Sequence, residues 1–128
     1  MQPATELSTP ARTAVTYALA ARSWTPETYR SQYETQLRLA VGRLRRELAR
    51  VPPTPEQLAG YRRDQARATA TVANVRTLLE NDRQAEYSVV LDERNIAAGQ
   101  QLNERTTNLV TLANRAGQWR VTAFTIQP

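Results

Sequence analysis

The sequence predicts an α+β domain, with three N-terminal helices packed on a curved four-stranded antiparallel meander sheet. Three observations predict it. Apolar residues recur three and four apart through the first half of the chain, down to about Asp64. From about Arg67 the pattern changes to small and β-branched residues in near-alternation, broken by short turn signals. The chain then closes on GQWRVTAFTIQP, a turn followed by one strand. Helices that come first and a meander that comes after them argue for helices on one face of the sheet.

Residues 1–8 read as a flexible lead-in, and residues 9–128 as a single domain. Thr9-Pro10 is a cap residue followed by proline at the first helical position. Ala11, Ala14, Val15, Ala18 and Leu19 then form one helix face, ending near Arg22. Thr25-Pro26-Glu27 repeats the start signal, with an acid in the first turn. Tyr29, Tyr33, Leu37, Ala40, Val41, Leu44, Leu48 and Val51 follow, the strongest periodic run in the chain. They predict one long helix that stops at Pro52-Pro53. Thr54-Pro55-Glu56 starts a third, short helix, from Pro55 to about Asp64.

Strands are predicted at 68–78, at 85–91 running on to about Ile96, at 102–113 and at 119–126. Glu80-Asn81-Asp82, Ala97 to Gln101 and Asn114 to Gly117 are the connections. Strands joined so briefly pair in antiparallel order.

A length of 128 residues suits one domain, and 41% hydrophobic residues supply a lean core. No run of about 18 apolar residues is present, so nothing in the chain spans a membrane. MQPATELSTPAR has neither the basic nor the apolar region of a signal peptide. The chain has no Cys, no His and no Lys. That removes thiol and thiolate chemistry, the commonest general base, and Schiff-base or phosphate-loop lysines. All seventeen cations are Arg, a usage that suits a GC-rich, actinobacterial genome. The formal charge is +5, most of it in the helical half.

The element order, closed by the Gly117-x-Trp119-x-Val121 strand, resembles the nuclear transport factor two-like (cystatin-like) fold. That resemblance implies a long helix in the concave face of a bent, cone-like sheet. Tyr17-Ala18-Leu19-Ala20-Ala21-Arg22-Ser23-Trp24-Thr25-Pro26 is similar to the helix-to-helix corner of extracytoplasmic domains from Gram-positive conjugation proteins. These are the TcpC-type and VirB-eight-type scaffold components of type IV secretion systems, and Asp92-Glu93-Arg94 fits that group. A related resemblance is to actinobacterial membrane proteins associated with mammalian-cell-entry transporters. The resemblance implies a domain outside the cytoplasm, tethered by an upstream membrane helix that this chain lacks. The start at Met1-Gln2-Pro3 suits a chain trimmed at that junction. It also implies homo-oligomers and partners among envelope or secretion components, with membrane contact only through the missing anchor.

Four groups of residues carry the site expectations. With Leu37 and Leu44 centring the buried face of the long helix, Arg43, Arg46, Arg50 and Leu39 fall on the opposite side, a candidate interaction face. That basic stripe suits phosphate, anionic lipid headgroups or an acidic partner, or is simply a solvated face. Tyr17, Trp24 and Tyr87 are candidate linings of the cone's cavity. Trp119 is expected to pack in the sheet. Glu80, Asp82, Asp92 and Glu93 are read as turn-borne acids, too scattered for a metal site or a catalytic base. The expected function is therefore a non-enzymatic scaffold acting by protein–protein contact, with no cofactor, no metal and no catalytic residue. The alternatives are a small-ligand pocket protein or enzyme of the same fold and, third, a basic nucleic-acid-binding module. Nucleic acid is not the expected partner, since no aromatics interleave the arginines.

Overall fold

The computed structural model describes residues 7–127. The first six residues of the expected lead-in and Pro128 lie outside them. Structure begins earlier than expected, because Leu7 already packs against the core and Ser8 caps the first helix, its Oγ accepting from the Ala11 amide at 3.3 Å. Helix α1 runs Thr9–Arg22. Ala11, Ala14 and Ala18 on its inner face are buried around Tyr17. Side chains this small let the helix backbone lie close on the sheet, and α1 packs against all four strands.

The long helix expected after it is two helices, which makes four helices among the described residues in place of three. Helix α2 spans Tyr29–Leu39, and α3 spans Gly42–Ala49. Between them Ala40 and Val41 are extended. The Val41 amide donates to the Val121 carbonyl at 2.9 Å, a parallel bridge to the last strand. Gly42 then turns the chain with φ at +64°, a conformation glycine adopts without penalty. The break lets the chain hydrogen-bond to the sheet and fold α3 back on α2, where the Tyr33 hydroxyl donates to the Leu48 carbonyl at 2.8 Å. The expected core helix changes with it. The helix laid across the sheet is α1, with its weaker, alanine-rich stripe. Helix α4, Pro55–Arg63, matches its start signal, for Thr54 Oγ1 accepts from the Gln57 amide.

The four strands are β1 Arg67–Glu80, β2 Gln84–Ala97, β3 Gln100–Arg115 and β4 Gln118–Gln127. They form one open antiparallel sheet in sequence order, as the alternation predicts, but each runs longer than expected. The reason is the tightness of the turns. Ala98 and Gly99 join β2 to β3 and Ala116 and Gly117 join β3 to β4, all four with positive φ, the two-residue geometry that matches strand twist. Inward-facing Tyr87, Val89 and Leu91 of β2, Val110 and Leu112 of β3, and Val121 of β4 are fully buried. Each contributes about 2 kcal/mol by area removed from water. Trp119 packs half-buried against this cluster. Edge strand β1 carries two register shifts, at Val72/Asn74 and Thr77/Leu79.

Candidate functional site

The end of α1 and the middle of the sheet share a buried polar cluster. Glu93 lies in β2, not on a turn as the sequence reading has it, and it is 3% exposed. Its place follows from the strand period, since Tyr87, Val89, Leu91 and Glu93 all face inward. Arg22, in the last turn of α1, donates to it from Nη2 to Oε1 at 2.8 Å and from Nε to both oxygens at 3.2 Å. Thr106 Oγ1 donates to the other carboxylate oxygen. Buried Asn108 continues the chain, its Nδ2 donating to Thr106 Oγ1 and to the Val89 carbonyl at 3.1 Å each. Asn108 Oδ1 has no donor among the described residues. A buried carboxylate is stable only when paired and hydrogen-bonded, and Arg22 and Thr106 meet that need. Both carboxylate oxygens of Glu93 are thus engaged by donors. The missed signal was phase: Glu93 is in step with Leu91, and Thr106 and Asn108 are in step with Val110.

Of the three expected cavity residues, Tyr17 and Tyr87 share the buried core and Trp24 does not join them. The Tyr17 ring is buried beneath α1, edge-on to Phe124 with centroids 5.1 Å apart, and burial holds its phenol protonated far above the usual range. Tyr87 is buried in β2, where its hydroxyl donates to Glu80 Oε2 at 2.6 Å and lies 3.3 Å from Ser8 Oγ. Burial first, and that carboxylate second, push its phenol up to about 12. Trp24 stands apart at the other end of α1, edge-on to Tyr29 and tilted against Tyr61 at centroid distances of 5.0 and 4.7 Å. It borders open surface grooves, one of about 600 Å³ between Tyr61 and Leu102, and neither Tyr17 nor Tyr87 lines them. The space between α1 and the sheet is occupied by alanine, Tyr17 and Phe124 side chains.

The expected arginine face divides. Arg43, Arg46 and Arg50 are exposed, and Arg43 pairs with Glu47 at 2.8 Å. Leu39 does not join them, being 6% exposed and part of the core. The helical-wheel phase was carried across Ala40 and Val41, which are extended, so it fails on the N-terminal side of the break. No group of three acidic side chains suited to holding a metal ion is present among the described residues.

No family model matches the sequence, and no curated protein sequence matches it. Solved structures do match the fold. The periplasmic domain of DotI is 12% identical, with a TM-score of 0.71 over 100% of this chain and 97% of that one. An IcmL-like type IV secretion system protein from Legionella pneumophila is 10% identical, with a TM-score of 0.65 over 92% and 91%. VirB8 of Agrobacterium tumefaciens is 10% identical, with a TM-score of 0.64 over 98% and 96%. A putative aromatic ring hydroxylase from Novosphingobium aromaticivorans also matches, at 9% identity and a TM-score of 0.58. The chain therefore has the nuclear transport factor two-like fold in the VirB8-type form found in periplasmic domains of type IV secretion systems.

Proposed function

We propose that this domain is a non-enzymatic assembly component of a type IV secretion or conjugation machine, acting outside the cytoplasm by protein–protein contact. One observation carries the reading beyond likeness of fold. The space between α1 and the sheet is filled by packed side chains, and the buried acid among the described residues, Glu93, is paired with Arg22. What is left for function is surface. The outer edge of β1 is covered near its start by Trp24, which bridges to Ala68. Farther along, Val72, Leu78 and Leu79 are exposed. An unpaired edge with apolar side chains suits docking of another chain, either a second copy or another envelope component.

The test is a photo-crosslinking amino acid placed at Leu79 in the native cell, with protease accessibility of the domain measured alongside. The reading expects crosslinks to a secretion component or to a second copy, and cleavage from outside intact cells. A protected cytoplasmic domain without crosslinks contradicts it. The likeness to the ring hydroxylase favours a second reading, a ligand site in one of the open grooves, beside Trp24 or across β1, β2 and β3 where Glu93 and Asp92 line it.

A further inference from the structure

Helix α3 carries its charge outward. Arg43, Arg46 and Arg50 stand at i, i+3 and i+7, within about 60° of one another around the axis, and all three are exposed. Leu44 and Leu48 turn inward against the core. From Arg38 to Arg50 the chain has five arginines against one glutamate, a net +4 where the whole chain carries +5. Glu47 is engaged by Arg43, and Arg45 is held by the Leu37 carbonyl. Arg46 and Arg50 form no ion pair with a carboxylate among the described residues.

Two observations narrow the partner. Arg43 sits in the first turn of α3, where the positive end of the helix dipole opposes a cation; its i,i+4 pair with Glu47 offsets this, while Arg46 and Arg50 have no carboxylate partner among the described residues. Val51, directly after Arg50, is 68% exposed, the most exposed large apolar side chain among the described residues. Cations beside an exposed apolar residue suit a flat boundary that is anionic outside and apolar beneath. An acidic peptide would be better served by a groove, and none of the three arginines borders the grooves beside Trp24 or across β1, β2 and β3; of this face only Val51 reaches one, beside Trp24.

We propose that the Arg43, Arg46 and Arg50 face of α3, with Val51 beside it, rests on an anionic lipid surface. This goes beyond the protein-contact reading and does not depend on it. Helix α3 packs on β4, at the sheet edge opposite β1, so both contacts fit on one molecule. It also differs from the expectation of membrane contact through an anchor alone.

The test is co-sedimentation of the whole chain with phosphatidylcholine vesicles, with and without phosphatidylglycerol. Binding should require phosphatidylglycerol and weaken with salt. It should fall on the order of a hundredfold in R43Q/R46Q/R50Q, from the attraction of three arginines near an anionic surface. It should stay near wild type in the charge-matched R62Q/R63Q/R67Q variant, with both variants melting as the wild type does. Equal binding to neutral vesicles, or equal loss in the two variants, overturns the proposal. So does displacement by inorganic phosphate at constant ionic strength, which marks a soluble-anion site. Binding of poly-glutamate without binding of vesicles assigns the face to an acidic protein and also overturns it.

Discussion

Arg22 Nη2 lies 2.8 Å from Glu93 Oε1, joining the last turn of α1 to the middle of β2. The arginine side chain keeps 27% of its exposure and the glutamate 1%. That asymmetry sets an order for mutation. Arg22→Ala leaves a buried carboxylate unpaired and should cost about 3 kcal/mol. Glu93→Gln leaves an arginine that can turn to water and should cost about 1 to 2 kcal/mol. Urea unfolding of both single variants and the double variant measures this. The double variant should fall well short of the sum of the singles.

Gly42 separates two accounts of residues 29–49. In one continuous helix, Gly42→Ala would stabilise the protein by nearly 1 kcal/mol. With φ at +64° the same change should destabilise it by about 1 kcal/mol, although nothing stands within 4 Å of the added methyl. The sign of the shift in thermal midpoint decides.

Filling beneath α1 predicts intolerance to size. Ala14 and Ala18 are fully buried against the sheet. Ala18→Leu should cost about 1 to 3 kcal/mol through overpacking. An open cavity would accept the leucine at little cost or with a gain, and chemical denaturation distinguishes the two.

Tyr87 and Tyr17 make stability depend on alkaline pH. Both phenols are raised in the folded state, chiefly by burial, Tyr87 to about 12. The unfolded chain releases these protons near pH 10, so above that pH it binds fewer protons than the folded chain. Stability is therefore full below about pH 10 and falls as pH rises from there through about 12. Phenolate absorbance should show two tyrosines titrating only with unfolding, and Tyr87→Phe should reduce the loss.

The sheet was legible because its alternation is regular. Tyr87, Val89 and Leu91, and Val110 and Leu112, mark their strands and the face that is buried. The same alternation put Glu93 inside, but a charge beside Asp92 reads as a turn until a partner as distant in sequence as Arg22 is known. The helix break was harder to see. Residues 29–51 keep helical spacing through Ala40 and Val41, and only Gly42 interrupts the run. What ends α2 is the hydrogen bond from Val41 to Val121, a contact between residues eighty apart in the chain. The error at Leu39 follows from that break. Arg43, Arg46 and Arg50 all lie on the C-terminal side of the break, so their shared exposure is unaffected by it.

The central claim is that this domain works by contact within a secretion machine. Its most direct test is transfer of the machine's cargo in cells that lack the chain, complemented with wild type or with Leu78→Glu/Leu79→Glu. Both leucines are exposed on the β1 edge, so the variant should fold and melt like the wild type. The account predicts that transfer is lost without the chain, restored by wild type and not restored by the edge variant. Transfer unchanged by loss of the chain, or fully restored by the edge variant, would contradict it.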